Sequence, residues 1–157
     1  MSHWILRHKI LLLLLAFMFI MLANLALFLP QYIHSEQQLT AAKLRQSDQD
    51  LGTIASQAST VAQDLAQQKI APRISNSHLA NLVDQANSLI VQFQSAPHLI
   101  PLDASVRQSL QLAQIISFTL RDLALQPGDQ LKAATTSQIL RQAATSAQTL
   151  SDTVPAN

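Results

Sequence analysis

The sequence predicts an all-α protein, a single N-terminal transmembrane helix followed by an antiparallel three- to four-helix bundle. Three observations carry that reading. Twenty consecutive residues, Ile10–Leu29, hold no charge and one polar side chain, Asn24. The remainder is rich in Ala, Leu and Gln and has only two glycines, a composition that favours helix over a sheet with many tight turns. Finally, six prolines, at positions 30, 72, 97, 101, 127 and 155, divide the chain into proline-free stretches with helical apolar spacing.

Residues 1–9 form a short basic tail in which Arg7, His8 and Lys9 precede the apolar run. A helix over Ile10–Leu29 would rise about 30 Å, the thickness of a bilayer core. Trp4 and Tyr32 stand at the two expected interfaces. Positive charge ahead of the run places the N-terminus in the cytoplasm and residues 30–157 outside, as a signal anchor. The rival is a secreted protein released by cleavage after Ser35. Against it, the run is longer than an ordinary signal h-region of about 7–15 residues, and the site lacks the A-x-A form. Asn24 is a candidate intramembrane contact, because an amide in lipid seeks a partner helix.

Helices are expected near 35–69, 77–95, 103–126 and 129–152. In the first, Leu51, Ile54, Ala58, Val61 and Leu65 recur at steps of three and four after Leu44. Gly52 marks a bend or a close helix contact. The first helix is the longest, and its opening turns are expected to form a stalk between membrane and bundle. The second carries Leu79, Leu82, Ala86, Leu89 and Phe93. The third begins with Asp103 as N-cap and presents Val106, Leu110, Ala113, Leu120 and Ala124, with Phe118 also read as core. Asp103 and Arg107 are spaced for an ion pair. The fourth follows Pro127-Gly128-Asp129 and has the weakest face, Leu131, Ala134, Ile139, Ala143, Ala147 and Leu150; loose docking of this helix is the alternative to a full four-helix bundle. Short connections make neighbouring helices antiparallel.

The chemistry-bearing residues form no recognisable constellation. A complete lack of cysteine removes disulfides and thiolate chemistry. His3, His8, His34, His78 and His98 include no i, i+4 pair, the nine acidic residues are scattered, and no G-x-S-x-G elbow or phosphate-cradling loop is present. The expectation is therefore no enzyme, no cofactor and no metal. A net charge of +1 without a basic–aromatic face gives no reason to expect nucleic acid. One segment stands out: Pro97-His98-Leu99-Ile100-Pro101 sets two apolar residues between prolines. His98, Leu99 and Ile100 either cap the core or form a candidate partner contact. The expected partners are the membrane lipid bilayer and a protein, with a homo-oligomer left open.

These features point to a noncatalytic envelope interaction module. The alternative is a sensing ectodomain: one-anchor bundles resemble, in architecture alone, the extracytoplasmic four-helix domains of bacterial chemoreceptors and sensor kinases. This chain departs from them in having no second span and no output domain, so a signal would pass through a partner receptor or kinase.

Overall fold

The computed structural model describes residues 38–154. Within them the chain forms four helices, α1 (Ala41–Ala66), α2 (Pro72–Ser95), α3 (Asp103–Leu125) and α4 (Gln130–Thr153), with a 3-10 turn at Ile100–Leu102 and no strand. The apolar run Ile10–Leu29 and Asn24 lie outside the described residues. No described helix is long and apolar enough to cross a membrane.

Each helix ends where its local sequence requires. Thr40 caps α1 by accepting from the Lys43 N–H, and Asp129 caps α4 by accepting from the Lys132 N–H. Pro72 opens α2 at its first turn, where a missing N–H costs nothing, so this helix starts earlier than the spacing of its leucines suggested. α1, by contrast, is shorter than expected, beginning at Ala41 and stopping at Ala66. It closes through bonds from Lys69 N to Asp64 O and from Gln67 N to Gln63 O, with Gln68 in the left-handed region at φ 56°. Asp103 is not the cap of α3. The preceding 3-10 turn already supplies a helical Leu102, so Asp103 sits in the first turn with its carboxylate directed to His98 and Arg107.

The helices run up, down, up and down around one core. α1 and α4 lie antiparallel: Arg45 donates to the Val154 carbonyl, Gly52 faces Ala147, and the Ser59 hydroxyl donates to the Ser137 carbonyl at 3.1 Å. Asn87 of α2 accepts from Ser117 and Arg121 of α3, and Lys132 of α4 meets Asp122 of α3 at 2.8 Å. Leu44, Leu51, Leu79, Phe93, Leu102, Ile116, Leu120, Leu123 and Leu140 fill the interior. The first turns of α1 pack within the bundle, since Ala41, Leu44, Ser47 and Asp48 are buried; they are no stalk.

Two expected core assignments are corrected. Phe118 is 72% exposed because it points away from the stripe formed by Ala113, Ile116, Leu120 and Leu123. On α4 the buried face is Ala133, Thr136, Ser137, Leu140, Ala143, Ala147 and Ser151, while Leu131 and Ala134 are exposed and Ile139 is 40% exposed. The reason is the close approach of α1: small residues are required there, and hydroxyls fit when they find a carbonyl.

A Cβ at position 52 would lie 3.5 Å from the Ala147 Cβ and 3.7 Å from the Ala144 carbonyl, ordinary contact distances. Gly52→Ala is therefore expected to stabilise the fold, by at most about 1 kcal/mol from helix propensity. Gly52→Leu should destabilise it by driving α1 from α4. Denaturant melts of both variants check this; destabilisation by alanine would show that the seam requires glycine itself.

Candidate functional site

Three features of the bundle carry polar or apolar groups in unusual places. The first is the α2–α3 connection. Leu39 N–H donates to the Pro97 carbonyl at 2.9 Å, forming a single parallel bridge that ties the incoming chain to His98. The His98 ring lies between the Ala96 carbonyl at 3.2 Å and Asp103 Oδ1 at 2.8 Å, while Arg107 approaches the other Asp103 oxygen at 3.3 Å. The bond to Asp103 and then that to Ala96 raise the His98 pKa. The same His98 bond and the Arg107 charge lower that of Asp103. Of the candidate contact residues, His98 is half-buried, Leu99 is 51% exposed and Ile100 is 90% exposed. The core cap at this end is Leu102, which is buried.

The second feature is Asp48. It occupies a buried position on α1 between Leu44 and Leu51, with both carboxylate oxygens shielded from solvent and lacking a hydrogen bond. Burial pushes its carboxyl up to about 6, against a smaller opposing pull from Ser109. The Ser109 hydroxyl is itself buried and donates to the Ser105 carbonyl at 3.0 Å, which leaves the Asp48 oxygens unpaired. Sequence reading placed Asp48 among the scattered acids. Its signal was the register: Ala41, Leu44, Asp48, Leu51, Ala55, Ala58, Ala62 and Leu65 alternate steps of three and four, so an acid sits where the stripe calls for an apolar residue.

The third feature is the outer face of α3 and α4. A groove of about 370 Å³ is lined by Gln108, Gln111, Leu112, Ile115, Ser146, Thr149 and Leu150. Ile115 of this lining is exposed, as are Phe118 on α3 and Ile139 on α4, and Leu125 and Leu131 are exposed on either side of the α3–α4 turn. No ionisable group lines the groove. A smaller groove of about 260 Å³ between α1 and α2 contains Asp50, Thr53, Ile54, Gln57, Gln85, Ser88 and Leu89.

No known protein family, curated protein or solved structure matches this chain. The site must accordingly be read from its own chemistry. Among the described residues no group of three or more His, Asp or Glu converges as a metal site. The buried hydroxyls of Ser59 and Ser109 donate to the carbonyls of Ser137 and Ser105. Asp84, next to the α2 stripe, is solvent-exposed. What the geometry offers is an exposed apolar face, a rigid apolar turn and one acid held out of water.

Asp48 gives a pH dependence of definite sign. The folded state holds its proton up to about 6, whereas the unfolded chain releases it near 3.8, so stability falls as pH rises through that window. The displacement corresponds to about 3 kcal/mol of lost stability on the alkaline side. Asp48→Asn, nearly isosteric, is expected to raise Tm at neutral pH and flatten the Tm profile across this window; an unchanged profile would contradict the burial effect. The His98 contribution has another window: present below 6.5, it is lost as pH rises through the raised folded value.

Proposed function

We propose that this chain is a noncatalytic, single-pass membrane-anchored helical-bundle protein acting as an extracytoplasmic interaction module of the cell envelope. In this reading Ile10–Leu29 holds it in the bilayer, and the α3–α4 face receives an amphipathic helix of a partner protein. Phe118 carries the argument. Burying one large apolar side chain contributes about 1.5–3 kcal/mol, yet Phe118, Leu125 and Leu131 are left in water while serines occupy interior positions. A groove between two helices, lined by Leu112, Ile115 and Leu150 together with amides and hydroxyls, suits the i, i+3, i+4, i+7 anchors of a helix. Its lack of charge favours an uncharged partner stripe.

A second reading, an ectodomain that senses and signals through a partner receptor or kinase, draws on Asp48. A buried acid with a raised pKa supplies a group whose ionisation loosens the interior.

Two measurements test the leading reading. Thr145 is exposed on α4 and the chain has no native cysteine, so Thr145→Cys should react with an impermeant maleimide in intact cells. Labelling only after lysis would put the bundle in the cytoplasm and overturn the sidedness. Ser151 is unsuited because it is buried. For the face itself, a photoreactive benzoyl group at Phe118 is expected to give one discrete adduct with a protein, weakened several-fold by Ile139→Asp without a change in Tm. An adduct indifferent to Ile139→Asp, or none at all, would rule out this face as the docking surface.

A further inference from the structure

We propose that the Leu99–Ile100 turn inserts into the lipid surface of the membrane, so that the bundle rests on the bilayer by its Leu39 end. This rests on the reading of Ile10–Leu29 as an anchor.

Position comes first. Leu39 lies only ten residues beyond Leu29, where the apolar run ends, a path of roughly 35 Å at full extension. At the point where that chain joins the bundle, it is bonded to Pro97 and bridged to His98, directly before the turn. On the anchor reading, the end of the bundle that carries Leu99 and Ile100 is the end at which the chain arrives from the apolar run. Leu125 and Leu131 belong to the opposite end.

The turn is also built as a presented surface. Pro97 and Pro101 restrict its backbone, Leu102 N bonds the Leu99 carbonyl at 2.9 Å, and the Asp103 N–H bonds the Ile100 carbonyl. Leu102 is buried beneath it and the His98 ring is held by Ala96 and Asp103. These bonds hold Ile100 outward at 90% exposure and Leu99 beside it, so little conformational freedom is left to lose on insertion. The only acid in the turn, Asp103, is engaged by His98 and Arg107, and Arg107 itself is well exposed, a favourable neighbour for anionic headgroups. On the anchor reading a bilayer lies within the reach of those ten residues, so the occupant is lipid and not a second protein.

Nitroxide labels on single cysteines test this in the full chain reconstituted in vesicles of phosphatidylcholine with phosphatidylglycerol. Labels would replace Leu22, Ile100 and Leu131 one at a time. The last two side chains are exposed, so the fold is not disturbed at those sites. The expected result is a ratio of oxygen to nickel-chelate accessibility at Ile100 several-fold above that at Leu131, approaching the value at Leu22. Should Leu22 report lipid while Ile100 matches Leu131, the turn does not touch the membrane and the proposal fails with the anchor intact. Should Leu22 report water, the anchor reading fails and takes the proposal with it.

Discussion

The close antiparallel seam between α1 and α4 is the constraint on which the rest of the bundle depends. It joins the first described helix to the last, along a line from Arg45 and Val154 through Gly52 and Ala147 to Ser59 and Ser137. Helices that approach this closely cannot carry large side chains at the points of contact, and the pairs that meet there are Gly52 with Ala147 and Ser59 with Ser137. The compensation is backbone proximity itself: dense dispersion contact and a hydroxyl that reaches a carbonyl on the facing helix. Because this seam closes the ring, it also brings the two ends of the described chain together.

The seam has an energetic consequence for the interior. Small residues on the buried face of α4 leave it one large apolar side chain there, Leu140, whereas α1 brings Leu44, Leu51, Ile54 and Leu65, α2 Leu79, Leu82, Leu89 and Phe93, and α3 Val106, Ile116, Leu120 and Leu123. The core is therefore lopsided, and its polar content is high for a bundle of this size: Ser47, Asp48, Ser59, Ser75, Ser109, Ser117, Thr136, Ser137 and Ser151 are all buried. Several of these hydroxyls bond a helix carbonyl or a facing polar group and so cost little. Asp48 is different, since neither oxygen has a partner and the burden falls on its ionisation.

How far the fold was legible follows from the same division. α2 could be read because its stripe, Leu79, Leu82, Ala86, Leu89 and Phe93, is apolar throughout and is the face that is buried. The turn before α4 was legible from Asp129, whose carboxylate caps the helix. The α4 face was not, because hydrophobicity marks a buried face only where large residues fill it; on a small-residue seam Ser137 is inside and Leu131 outside. Phe118 misled for the converse reason, as aromatic character alone does not say which side of α3 it occupies. Asp48 was hidden by its charge, although its place in the three–four spacing carried the signal. At the Pro97–Pro101 turn, sequence identified the unusual segment but not its orientation. That depended on Leu102 taking the core position and leaving Ile100 outside.

Inside and outside are thus partly exchanged in this domain: an acid and many hydroxyls lie within, while Phe118, Ile100, Leu125 and Leu131 lie without. An isolated soluble bundle gains from neither half of that exchange. The exposed groups forgo burial, and the buried carboxyl must keep its proton or weaken the packing. The two halves also differ in place. Apolar surface is concentrated on one long face and at the turn beside the entering chain, both positions that a helix or a lipid surface can cover. Polar groups line the interior seam, where small size is what the close approach requires. Large apolar groups left in water, over a core set by helix proximity, are the two departures of this bundle from a simple apolar-in pattern.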